Sequence, residues 1–336
     1  MGLIKKYKKI LFDAEGTLIS DEQFLNTAAL TLFEMVNKEV DVAWCEENVK
    51  SIRKLVFCNE KTVENLKARG VNLNCELAYI TYMIALIARA KEVADEDIYD
   101  FINTYSEEIP VTAPELFVYV INNVMKLYDF DVAFLKRRGT LWHRIYDVFN
   151  EWYFGDELYE EVYKKAPEKA LSRNGFIKNE MPACELSELT KTLYTLKDNG
   201  ISLGIVSGRE SHEVTIPLTN WGLIEYFDEE SIVTTTEVSA AEEETDEKNI
   251  GFWGPHPFMY LKGVFGEAKT TEEIMDFEGE LSECLAVVSN SANVTAVRAA
   301  GMHFAAVTDG DLQAKENFEN LNADYIFKSV PEMILE

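Results

Sequence analysis

Two carboxylates two residues apart, Asp13 and Glu15, stand where an apolar burst, Lys9 to Phe12, gives way to Gly16 and Thr17. A short apolar run closed by a glycine turn reads as a buried strand ending at a loop. A carboxylate at such an end can attack an electrophilic phosphorus and form an aspartyl-phosphate. A second acid two residues on can protonate the leaving group and then deprotonate water. Further along, Gly204-Ile205-Val206 ends at Ser207-Gly208-Arg209, and Ala286-Val287-Val288 ends at Ser289-Asn290-Ser291. Hydroxyl and N–H groups after a strand can hold phosphoryl oxygens.

These residues need elements that bring them together. After residue 180 the pattern alternates helix and strand: helix Cys184 to Asp198, strand Ile201 to Val206, strand Ser231 to Thr234, an acidic loop Glu242 to Glu247, helix Pro257 to Phe265, strand Cys284 to Val288, and strand Met302 to Val307. That alternation predicts parallel pairing in a doubly wound sheet, with ligands bound at the carboxyl ends of the strands. One strand cannot stand alone, so the Lys9–Phe12 strand joins this sheet. The stretch between carries helical periodicity instead, as in Phe24, Ala28, Leu32, Met35 and in Leu77, Ile80, Met83, Ile84, Ile87. Asp41, Asn74 and Thr112 stand at expected helix caps, with Pro114 in a first turn. The fold class expected is α/β, a Rossmann-like sheet formed by 1–19 and 185–336, with 20–184 an all-helical insertion.

The segment Phe12-Asp13-Ala14-Glu15-Gly16-Thr17-Leu18 resembles the first motif of the haloacid dehalogenase superfamily, an apolar strand followed by D-x-D-G-T-L. The resemblance covers 6–19 and 185–336, and makes the insertion a large helical cap. It implies a phosphomonoester phosphatase acting on a small phosphorylated metabolite, with Asp13 as nucleophile and Glu15 as acid/base. Ser207, Gly208 and Arg209 would bind substrate; Arg209 as a solvated charge is an equal reading. Mg2+ would sit on Asp13, the Glu15 carbonyl, and Ser289 or Asn290.

Three departures weigh against turnover. Glu15 replaces an Asp, adding about 1.5 Å of reach, and misplacement on that scale costs roughly 100-fold in rate. Gly254, before Pro255-His256-Pro257, occupies the place of the family's lysine; Lys248 would have to fold back to replace it. No acid lies between Val287 and Val294 to attract a hard dication. Losing a cation and a metal acid together removes charge compensation that two carboxylates and a phosphate require. Two expectations therefore stand side by side: a magnesium-dependent phosphatase of weak activity, and a catalytically impaired binding or regulatory protein. Metal-free dehalogenation is a weaker third.

The 336 residues carry 59 acidic and 32 basic side chains, a formal charge of −27. That field repels nucleic acid and anionic membranes, so neither is an expected partner. Five dispersed cysteines without a C-x-x-C pair fit buried reduced thiols, and no apolar run reaches membrane-spanning length, so a cytoplasmic protein is expected. In the insertion, Trp142, Ile145, Phe149 and Trp152 recur at helical spacing and are expected to be core, while Lys136, Arg137, Arg138 and Arg144 are expected on solvated faces.

Overall fold

The computed structural model describes residues 6–37, 39–71, 74–245, 252 and 256–334. They form two compact units, one of 1–21 with 180–336 and one of 22–179.

The first unit opens with β1 (Lys9–Asp13). The second unit then supplies α1 (Glu22–Val36), α2 (Asn74–Ala90), α3 (Ile98–Glu108), α4 (Glu115–Met125) and α5 (Thr140–Phe154), joined by shorter helices. α1 packs on α2 and α5, and α2 on α3 and α4. Ile145, Phe149 and Trp152 of α5 are fully buried, as their spacing predicts, whereas Trp142 is half-buried and stacks on Tyr146 at 5.0 Å. Asp41 caps the short helix Val42–Glu47 by accepting from the Trp44 N–H at 3.1 Å. The basic cluster is exposed, as expected, with Arg137 paired to the buried Glu76 and Arg144 to Glu168.

Back in the first unit follow α6 (Leu186–Asp198), β2 (Ser202–Val206), α7 (Ser211–Asn220), β3 (Ile232–Val233), α8 (Thr235–Glu244), α9 (Phe258–Phe265), β4 (Leu281–Val288), α10 (Val294–Ala299), β5 (Met302–Val307), α11 (Leu312–Asn320) and β6 (Tyr325–Phe327). All pairings are parallel, in the order β3-β2-β1-β4-β5-β6. β1 lies at the centre, with Ile10 and Phe12 on one face of the sheet and Leu11 on the other. Ile10 and Phe12 join Leu193, Leu203, Ile205 and Leu285. Leu11 joins Val206, Phe258, Leu261, Ala286 and Phe304. Both faces are covered, which explains why Ile10–Phe12 of β1 and Cys284–Val288 of β4 read as unbroken apolar runs.

Two expectations need correction. The acidic stretch from Glu242 is helical through Glu244, because α8 continues past Val238 and Ala241, which bury against the sheet. The edge strand β6 is absent from the sequence reading; three residues following Ala323 and Asp324 are too few to show a period. Lys248 and Gly254 lie outside the described residues.

Candidate functional site

Register places the candidate residues on one rim. Asp13 pairs in register with Val206, so Ser207 follows on the adjacent strand, while Phe12 pairs with Val287, setting Ser289 on the other side. The Asp13 carboxyl therefore stands at the carboxyl end of the central strand, between the loops after β2 and β4. Such rims are where open α/β sheets bind ligands.

The turn after β1 is fixed by its own backbone. Ile19 N–H donates to Ala14 O at 2.9 Å, and Gly16 N–H donates to Ile19 O at 2.8 Å. Thr17 Oγ1 donates to the Asp13 carbonyl. Gly16 has φ +74°, and a Cβ there would meet Ser289 Oγ at 2.6 Å. Only glycine meets both demands, since it alone tolerates that φ without strain and leaves room for Ser289. Ser289 Oγ in turn donates to the Glu15 carbonyl at 2.7 Å, tying the β4 loop to the β1 turn.

Asp13 is nearly buried, and its Oδ2 accepts from Asn293 Nδ2 at 2.9 Å. Burial, then the charge of Glu15, push its pKa up to about 8 despite opposing contributions from Arg209, the Glu15 N–H and Asn293. Desolvation thus outweighs the nearby cation. Asn293 was missed by sequence reasoning, which looked for a partner immediately after the strand. The 3₁₀ turn Ser291–Asn293 carries this third residue back toward Asp13. Asn290 instead accepts from Ala292 N–H at 3.0 Å through its Oδ1.

Arg209 is a buried side chain, 2 % exposed, and so is not the solvated charge allowed for above. Its Nη1 donates to Glu180 Oε1 at 3.1 Å, its Nη2 donates to the Ser20 carbonyl at 3.3 Å, and its Nε lies 3.5 Å from Glu15 Oε2. Ser207 Oγ accepts from Arg209 N–H at 3.1 Å, while Gly208 is exposed. Glu180, at the boundary between the units, carries no signal in the sequence. Glu213, in the first turn of α7, forms a reciprocal cap with Glu210, and its buried carboxyl is pushed up to about 8 by desolvation and Glu210. Tyr260 on α9 is buried, its phenol held well above the usual range by desolvation and the charge of Asp13.

The residues flanking this rim have structural roles. His256 Nδ1 accepts from Phe258 N–H at 3.1 Å and so caps α9. Lys262 Nζ donates to Gly266 O at 3.0 Å. Asp311 caps α11 by accepting from Gln313 and Ala314 N–H.

A hard dication asks for several oxygens, carboxylates above all, turned toward one point. Here the Asp13 Oδ2 and the Glu15 carbonyl both accept hydrogen bonds, from Asn293 and Ser289. The Glu15 carboxylate is turned to Arg209. Among the described residues no three His, Cys, Asp or Glu side chains converge as a metal site. The residues present do not fit Mg2+. Nor is any described helix long and apolar enough to cross a membrane, and none of the five cysteines is in a disulfide.

No family model and no curated protein matches the chain. Among solved structures, an X-ray structure from the Northeast Structural Genomics Consortium is 24% identical, with 97% of each chain covered and a TM-score of 0.74. A HAD family hydrolase from Deinococcus radiodurans R1, with bound phosphate and sodium, is 15% identical over 98% of this chain and 93% of its own, at a TM-score of 0.44. A haloacid dehalogenase-like hydrolase from Streptococcus pneumoniae is 12% identical over 98% of both chains, at 0.43. The fold shared with the first of these is an all-parallel six-stranded sheet interrupted in sequence after its first strand by a helical unit.

Proposed function

We propose that this chain is a haloacid dehalogenase-like protein with an impaired hydrolase site, acting as a binding or regulatory protein. The observation that carries this reading is the state of Asp13. Its carboxyl is partnered by the neutral Asn293 amide, and burial holds it above the usual carboxylate range, which favours the protonated form. A protonated carboxyl is a poor nucleophile. Glu15, the acid/base candidate, is engaged by Arg209, which also serves Glu180. Two carboxylates on one buried guanidinium leave no surplus positive charge for a phosphate dianion.

A second reading keeps the active phosphatase: a hydrolase of a small phosphorylated metabolite, with Asp13 as its nucleophile. It is favoured by Asp13 and Ser207 sharing neighbouring strand ends, with Gly208 exposed beside them. One assay separates the two. The protein and its Asp13→Asn variant are incubated with p-nitrophenyl phosphate and Mg2+, Mn2+ or Co2+. The impaired reading expects equal background rates. Turnover that the substitution abolishes overturns it and establishes the phosphatase.

A further inference from the structure

The helical unit contains a cavity of about 820 Å³, and every residue lining it lies within 22–179. That volume falls in the range of small-molecule sites. Its walls come from the end of α1, from α2, α3 and α5, and from two segments outside these helices, at Val93 and Asp95 and at Glu168 and Lys169.

Most charges of the wall are answered within the chain. Glu34 and Glu151 are buried and meet the buried Arg173 at 2.8 and 3.1 Å, so they offer nothing to a ligand. Lys169 Nζ donates to Glu34 Oε1 at 3.3 Å. Arg144 donates to Glu168 through Nε at 3.0 Å and Nη2 at 2.8 Å. Both side chains of that last pair are exposed. A solvated ion pair contributes at most about 1 kcal/mol, so a ligand can displace it at little cost.

Arg89 is the exception. It is exposed at the end of α2, and its Nη2 donates to the Val36 carbonyl, which fixes the guanidinium at the cavity wall. That carbonyl takes one N–H and leaves the rest of the fork open. Among the described residues Arg89 makes no ion pair, not even with Asp95, the other exposed acid of the wall. In a chain of 59 acidic and 32 basic side chains, a lining arginine without a carboxylate runs against the composition.

Phenolic hydroxyls complete the set. Tyr82, half-buried on α2, makes no hydrogen bond through its Oη among the described residues. Burial raises its phenol, and the charges of Arg89 and then Arg144 oppose that shift, so both guanidinium groups stand near it. Tyr99 Oη accepts from Asn37 Nδ2 at 3.3 Å, which leaves its own O–H to donate. Burial raises this phenol too, opposed by Asn37 and by Arg89. A guanidinium fork with hydroxyl donors beside it matches the two oxygens of a carboxylate. Asp95 and Glu168 at the rim disfavour a second negative charge, which selects a carboxylate over a phosphate dianion.

We propose that this cavity binds a small carboxylic acid, its carboxylate received by the Arg89 guanidinium and the Tyr82 and Tyr99 hydroxyls and its apolar body lying against Val36, Val93 and Val148.

The test is isothermal titration calorimetry on the whole chain with phenylacetate, phenylacetamide, phenethylammonium and phenyl phosphate, which share a ring and differ in charge. Phenylacetate is expected to bind at least tenfold more tightly than phenylacetamide, with weaker binding of the phosphate and no heat from the ammonium. Arg89→Met should weaken phenylacetate at least tenfold, since it removes the charged donor. Glu168→Gln releases Arg144 and removes a like charge from the rim, and should tighten phenylacetate at least threefold. Asp13→Asn should leave it unchanged, which separates this site from the strand-end one. The proposal is overturned by equal binding of acid and amide, by a preference for the ammonium or the phosphate, or by no phenylacetate binding to the folded chain. Unchanged binding in Arg89→Met, or its loss in Asp13→Asn, overturns it as well. Should Arg89→Met fail to fold by near-ultraviolet circular dichroism, Glu168→Gln decides, and unchanged or weaker binding there overturns the proposal.

Discussion

Asn293 Nδ2 donates to Asp13 Oδ2 at 2.9 Å, so the acid at the end of the central strand has a neutral partner from the loop after β4. A neutral donor stabilises the carboxylate less than a cation would, and desolvation wins.

The first prediction follows from that balance. A carboxyl whose folded pKa lies above its unfolded value contributes stability below about pH 4 and loses it as pH rises through about 8. Asp13→Asn removes this titration. The variant should gain stability relative to the native chain between pH 5 and 8, by up to about 1.4 kcal/mol per pH unit, and the gain should level off above pH 8. Urea unfolding at pH 5, 6.5 and 8 measures it; a difference constant across that range would show Asp13 is not shifted.

Gly16 and Ser289 are coupled through space. Gly16→Ala imposes a side chain at φ +74° and drives its Cβ into Ser289 Oγ, a cost of about 1–3 kcal/mol from backbone strain alone. Adding Ser289→Gly clears the clash while the strain remains. The double variant should therefore melt higher than Gly16→Ala alone, and a lower melting temperature would contradict this geometry.

Arg209→Met leaves Glu15 and Glu180 without their shared cation and should destabilise the chain by about 3–5 kcal/mol. Adding Glu180→Gln should recover part of that loss in chemical denaturation. An Arg209→Met chain of native stability would assign this guanidinium to a ligand instead.

In the helical unit, Arg173 is the shared partner of three carboxylates. Arg173→Met should cost about 3–5 kcal/mol, because it strands buried charge. Glu34→Gln added to it should restore part of the stability. Additive losses in the double-mutant cycle would mean that the two side chains do not interact.

The sequence alone determined five of the six strands and the carboxyl at the first strand's end. Apolar runs such as Lys9–Phe12 and Leu285–Val288 encode burial on both faces through local pattern, and Gly16 marks the turn because only one residue type tolerates it. Tertiary structure decided what the site residues touch. Asn293 reaches Asp13 across 280 positions, and Arg209 meets Glu180 across 29, through pairings with no sequence period. The same holds for the buried Glu151, whose partner Arg173 lies 22 residues away in an irregular segment. Local pattern records which face of an element is buried; it does not record which charge is buried opposite which, and that pairing sets a carboxyl's protonation and what it can bind.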